Sequence, residues 1–128
     1  RPRYLRGVGD PASLVEAIGV GIDQFDCVLQ TRLGRHGTAL TSHGRVNLSR
    51  AEHAGSDAPI DESCPCEVCA RHSRGFLRHL LQVGEPTASR LVSIHNVAWT
   101  LDLMDRARRA IVGGTFDDFR RGILATWG

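Results

Sequence analysis

A chain of 128 residues with 41% hydrophobic and 23% charged content can bury one modest core, which excludes a disordered tail and any low-complexity array. No apolar run approaches the ~18 residues of a membrane span, and nothing has the pattern of a secretory signal. The formal net charge of +2 is too small to imply nucleic acid by itself; all 16 basic residues are Arg, but biased codon usage explains that as readily as RNA binding.

The chain opens Arg1-Pro2-Arg3-Tyr4 without Met and enters a strand almost at once, which suits the back part of a longer protein. Residues 4–8 read as that strand. Asp10-Pro11 then starts a helix, with Asp10 as N-cap and Pro at the first helical position, running through Leu14, Val15 and Ile18 to Gly19 and Gly21. Residues 22–29 form a second strand, carrying Phe25, Cys27, Val28 and Leu29. Strand, helix and strand in this order predict a parallel βαβ unit. Gly34 and Gly37 break the chain, and His43-Gly44 sits between residues 38–41 and 45–48 as the turn of a hairpin.

Residues 51–63 are polar and loop-like. Ser73 caps a helix bearing Phe76, Leu77, Leu80 and Leu81 and closed by Gly84. Thr87 starts a longer helix with an apolar face at Leu91, Ile94, Ala98 and Leu101, ending before Gly113-Gly114. Thr115-Phe116-Asp117-Asp118 resembles a capping box for a last helix through Phe119, Ile123 and Trp127.

Cys64, Cys66 and Cys69 supply three soft ligands within six residues, which suits one tetrahedral zinc better than a disulfide framework, since Cys64 and Cys66 are too close for a comfortable bridge. A histidine completes the set. Spacing leaves three open: His72 just beyond Cys69, His79 on the next helix, and His95 on the long one. Three thiolates and an imidazole fill every coordination position, so such a zinc holds structure together and leaves chemistry to other residues. Clustered free thiols suit a reducing cytoplasm.

Phe25-Asp26-Cys27-Val28-Leu29-Gln30-Thr31-Arg32-Leu33-Gly34-Arg35, with Tyr4-Leu5-Arg6-Gly7-Val8-Gly9 before it and the cysteine cluster and His95 after it, resembles the C-terminal part of the tRNA-guanine transglycosylase family. The spacing between the three motifs agrees, as do Ser73-Arg74 and His95-Asn96. The resemblance covers essentially the whole chain and favours His95 as the fourth zinc ligand. It implies an α/β fold, the C-terminal part of a (β/α)8 TIM barrel with an inserted zinc-binding subdomain. A complete barrel takes about 250 residues. Residues 1–37 would hold its last two strands, their helix and an anticodon-recognition loop, residues 38–96 the hairpin and zinc subdomain, and residues 97–128 the closing helices.

The same resemblance implies that Asp26 is the nucleophile of a base exchange. The family replaces the wobble guanine of certain tRNA anticodons with a 7-deazaguanine, 7-aminomethyl-7-deazaguanine in bacteria or queuine in eukaryotes. Thr31, Arg32 and Arg35 match positions that contact the flanking bases, and Tyr4, Arg6 and Gly7 match the substrate pocket. Arg6 stands where the family typically has Met, and Gln30 where it has Pro. The family generally works as a dimer, which makes a homodimer the expected assembly, with the helix of Phe76 and His79 as candidate contact. Its general acid/base and purine-gripping residues match nothing here, so the fragment alone is expected to be inactive. Two other classes fit less well: a non-catalytic tRNA-binding partner subunit, against which Asp26, Thr31 and Arg32 argue, and a zinc module that binds RNA without chemistry, which lacks its compact basic patch.

Overall fold

The computed structural model describes residues 2–128, a mixture of helix and strand in two compact units. One comprises the chain up to Leu29 together with Thr100–Gly128, the other Gln30–Trp99.

The first unit contains β1 (Tyr4–Arg6), α1 (Pro11–Gly19) and β2 (Gln24–Asp26). The strands pair in parallel, Tyr4 opposite Gln24, Leu5 opposite Phe25 and Arg6 opposite Asp26, with α1 as the crossover. Both strands are shorter than their apolar content predicts. Gly7, at φ 81°, turns the chain out of β1, and its N–H donates to the Asp26 carbonyl at 2.7 Å. Helix α1 starts as expected, the Asp10 carboxylate accepting the Ser13 N–H at 3.1 Å ahead of Pro11. It buries Leu14 and Val15 and packs on α6 (Phe116–Trp127), with Glu16 and Arg120 paired at 2.8 Å. Thr115 is the N-cap of α6 but makes no side-chain capping bond, so the expected capping box is not formed.

Residues 29–35 differ from expectation. They form a helix, α2 (Leu29–Arg35), where a strand end and an open loop are predicted. Leu29 and Leu33 stand at i and i+4, Leu, Gln and Arg are good helix formers, and no proline interrupts them. Gly34, read as a chain break, lies buried inside the helix.

In the second unit β3 (Thr38–Thr41) and β4 (Gly44–Asn47) form the expected hairpin around Ser42-His43, with Gly44 at φ 105°. A 3-10 turn (Ala51–His53), α3 (Glu67–Arg71) and α4 (Arg74–Gln82) follow. Ser73 Oγ caps α4 by accepting the Phe76 N–H at 3.1 Å. The core holds Leu40, Leu48, Ile60, Leu77, Val92 and Trp99, each full burial of a large apolar side chain being worth roughly 1.5–3 kcal/mol.

Helix α5 (Pro86–Val112) supplies residues to both units, and its buried face is not the predicted one. Ala88, Val92, His95, Asn96, Trp99, Leu103 and Ala107 are buried, whereas Ile94 is 47% and Leu101 64% exposed. The true face is rotated because it includes two polar residues whose bonds are satisfied inside.

Candidate functional site

The zinc ligands are built from a thiol-capped helix turn and one histidine. Cys66 is the N-cap of α3, its Sγ accepting the Cys69 N–H at 3.4 Å, so the first turn of α3 swings Cys69 back beside Cys66. His95 Nδ1 lies 3.4 Å from Cys66 Sγ and 3.3 Å from Cys69 Sγ, and the ligand atoms of Cys64, Cys66, Cys69 and His95 all fall within 4.8 Å of one another. Donors around a tetrahedral zinc are separated by about 3.5–3.8 Å, given Zn–S near ~2.3 Å and Zn–N near ~2.0–2.1 Å. The set therefore fits one structural zinc with no open position. His72 and His79 are outside the cluster, His72 stacking instead on Phe76 with centroids 5.3 Å apart.

Electrostatics favour a cation here. Burial pushes the Cys64 thiol far up and the Cys69 thiol up to about 11, so neither ionises at neutral pH unless positive charge enters the cluster. Burial lowers the His95 pKa, which keeps its ring neutral. Its Nε2 faces the Leu40 carbonyl at 2.8 Å; a carbonyl only accepts, so Nε2 carries the proton and Nδ1 presents a lone pair to the metal.

Asp61 organises the loop that delivers the cysteines. Its buried carboxylate accepts the Ser42 N–H at 2.8 Å, the Ser63 hydroxyl at 2.8 Å and the Trp99 Nε1–H at 3.0 Å, and its carbonyl accepts the Cys64 N–H at 3.1 Å. Burial alone would raise its pKa, but the bonds from Ser63, Ser42 and Trp99 outweigh it and hold the carboxyl below its ordinary value. Arg74 fixes the same loop by donating to the Pro59 and Ile60 carbonyls at 3.0 and 2.6 Å.

The other candidates fall into two groups, one in each unit. Tyr4, Arg6, Gly7 and Asp26 meet at the C-terminal ends of β1 and β2, where Tyr4 Oη donates to Asp26 Oδ2 at 2.8 Å. That bond, followed by burial and the carboxylate charge, raises the Tyr4 pKa and keeps its proton in place. Arg6 and Asp26 are exposed. Thr31, Arg32 and Arg35 lie on α2 with exposed side chains, Thr31 and Arg35 one helical turn apart.

Sequence reasoning missed Asp61 and the task of Asn96. Asp61 had a usable signal, an acidic residue three positions before Cys64 in a stretch rich in turn formers. Asn96 had only its place beside His95. Its side chain holds the Leu40 N–H at 2.9 Å and donates to the carbonyls of Gln30 at 3.0 Å and Thr38 at 2.9 Å.

A family model described as queuine tRNA-ribosyltransferase matches residues 1–128. Among curated relatives of that name, the one from Symbiobacterium thermophilum is 46% identical over 99% of this chain and 32% of its own length. The one from Oleidesulfovibrio alaskensis is 48% identical over 94% of the chain and 32% of its own length. That from Enterococcus faecalis is 44% identical over 100% of the chain and 34% of its own length. The chain thus spans about a third of the relatives it matches. With the family model matched from end to end and the Cys3His zinc site assembled, the chain belongs to the queuine tRNA-ribosyltransferase family.

Proposed function

We propose that this chain is the C-terminal portion of a transglycosylase that exchanges the wobble guanine of a tRNA anticodon for a 7-deazaguanine, with Asp26 as nucleophile. The observation that carries this reading is the end-to-end family match combined with a carboxylate at the C-terminal end of a parallel strand, braced by Tyr4. That end of a barrel strand is where catalytic groups of (β/α)8 enzymes sit.

The chemistry follows from the carboxylate. An Asp26 oxygen attacks the ribose anomeric carbon as the bond to guanine N9 breaks, giving a glycosyl ester through an oxocarbenium-like state. Guanine leaves with the bonding electrons and takes up a proton. The 7-deazaguanine then attacks the same carbon through its ring nitrogen, and the ester bond breaks to restore the carboxylate. Two inversions give net retention. The Tyr4 hydroxyl orients the attacking group by occupying one carboxylate oxygen. Arg6 and Gly7, at the same strand ends, are proposed to line the base pocket, with Arg able to stack on a flat heterocycle.

Thr31, Arg32 and Arg35 are proposed to read the bases around the exchanged guanine, which in a single-stranded loop can be stacked on guanidinium planes and hydrogen-bonded on their edges. We also infer that β1 and β2 belong to a (β/α)8 barrel, with residues 1–37 and 97–128 in it and residues 38–96 as the inserted zinc subdomain. Their parallel pairing supports this, since all-parallel sheets are ordinarily covered on both faces, while Tyr4, Arg6, Gln24 and Asp26 are exposed here. A second copy of the chain is the proposed partner through α4. A tRNA substrate and four free thiols suit the cytoplasm, and among the described residues no helix is long and apolar enough to cross a membrane.

The test is steady-state exchange by full-length protein, with labelled 7-deazaguanine entering tRNA while both substrates are varied. Parallel double-reciprocal lines are expected of the ping-pong sequence. Intersecting lines, or no incorporation, would contradict it.

A further inference from the structure

We infer that Asn96 and Gly34 are positioning residues that hold the segment bearing Thr31, Arg32 and Arg35, and that they hold it against the same helix that supplies the zinc ligand His95. The inference rests on the reading of these three side chains as the RNA contacts.

Asn96 is fully buried, and its amide ties two segments together. Its Nδ2 donates to the carbonyl of Gln30, the residue before Thr31, at 3.0 Å, and to Thr38 at 2.9 Å, while its Oδ1 accepts the Leu40 N–H at 2.9 Å. The other polar group of Leu40, its carbonyl, is held by His95. Adjacent residues of α5 therefore grip both sides of one strand residue, and Asn96 extends that grip to α2.

Farther toward the N-terminus of α5, Ser93 Oγ reaches the Thr31 carbonyl at 3.5 Å and Ser89 Oγ the Arg35 carbonyl at 3.3 Å. Positions 89, 93 and 96 follow i, i+4, i+7 spacing and share one stripe. The segment thus turns its backbone carbonyls to α5 and leaves the side chains of Thr31, Arg32 and Arg35 exposed.

Gly34 sets how close the two can come. A Cβ there would lie 2.3 Å from Ser93 Oγ and 2.7 Å from both Ser93 Cα and Ser93 N. The Oγ could rotate away, but the backbone atoms could not, so any side chain at position 34 pushes the segment off α5. The distances identify glycine by the space available.

The experiment uses zinc-loaded full-length protein. Gly34→Ala removes no polar group, yet it should raise KM for tRNA on the order of 10- to 100-fold, the scale for a displacement of ~1 Å, and flatten the preference among anticodon-loop sequences. kcat at saturating tRNA should change far less, with one zinc retained per chain. Asn96→Ala should act in the same direction and speed amide exchange at residues 31–35. Adding Ser93→Gly to Gly34→Ala should recover only part of the loss, because it removes the 2.3 Å contact and leaves both at 2.7 Å.

Arg32→Ala and Arg35→Ala separate the two claims. If they change loop preference while Gly34→Ala changes neither preference nor KM, the inference is overturned and the RNA reading stands. If neither arginine matters, the RNA reading fails and the inference falls with it. Zinc lost together with loop preference in Gly34→Ala would also overturn it, by assigning the effect to the metal site.

Discussion

His95 Nε2 lies 2.8 Å from the carbonyl oxygen of Leu40, and this one bond decides which face of the ring the cysteines see. The proton is committed to the β3 carbonyl, so Nδ1 is left bare at 3.3–3.4 Å from two thiols. The fourth zinc ligand is thus set by the hairpin as much as by the helix that carries it.

Zinc should therefore be a folding element of the unit spanning Gln30–Trp99. Structural zinc in small sites contributes on the order of 10–16 kcal/mol of apparent binding free energy. Cys66→Ser, which also removes the cap of α3, should lose the metal and unfold the stretch from about 60 to 96. Metal analysis with a thiol titration checks this. Folded, freshly prepared wild-type protein without stoichiometric zinc would contradict the assignment.

Much of this site was legible because three ligands are local: Cys64, Cys66 and Cys69 announce a metal by spacing alone. His95 was not, since choosing it over His72 and His79 depends on a carbonyl 55 residues away. Helix α3 escaped notice because its cap is a thiol rather than Ser, Thr, Asp or Asn. The face of α5 was misread for a related reason. Counting apolar residues selected Leu91, Ile94, Ala98 and Leu101, whereas the buried stripe runs through His95 and Asn96, whose polarity is matched only in the folded chain. Helix α2 has few residues, and its hold on α5 is through backbone carbonyls, which carry no side-chain signature.

Asp61 should give the zinc unit an acid-sensitive stability term. Its folded pKa is lowered, so its contribution is present above the unfolded value of about 3.9 and is lost as pH falls through the lower folded value. Asp61→Ala strands the Trp99 indole N–H and the Ser42 amide, at a cost of about 2–4 kcal/mol at neutral pH. Denaturant unfolding of wild type and Asp61→Asn should show a gap that narrows below about pH 4. A gap independent of pH would show that shape, not charge, is what Asp61 provides.

Arg35→Ala should weaken tRNA use and reduce discrimination among anticodon loops, each lost base contact costing roughly 1–3 kcal/mol by analogy with base readout in DNA. Arg121→Ala is the control, since that guanidinium is exposed on α6 and bonded to Asp118 at 2.6 Å. Equal effects of the two on tRNA affinity and loop preference would show that bulk charge explains binding.

Phe76 is 44% exposed on α4 and stacked on His72 beside the zinc loop, an arrangement suited to an aromatic anchor between subunits. Phe76→Ala should shift full-length protein toward monomer in analytical ultracentrifugation while zinc content stays constant. Unchanged mass at low micromolar concentration would remove this surface from the assembly.

The most direct measurement is covalent trapping at Asp26. With full-length protein and a tRNA whose second step is stalled, a denaturation-resistant protein–RNA species should form, and Asp26→Asn should abolish it, since the amide is a poor nucleophile of nearly the same size. The 128-residue chain alone should give no adduct, because in-line positioning of the ribose contributes several powers of ten in rate and needs residues it lacks. An adduct that persists in Asp26→Asn, with amide hydrolysis excluded by mass spectrometry, would transfer the nucleophile to another residue and contradict the account.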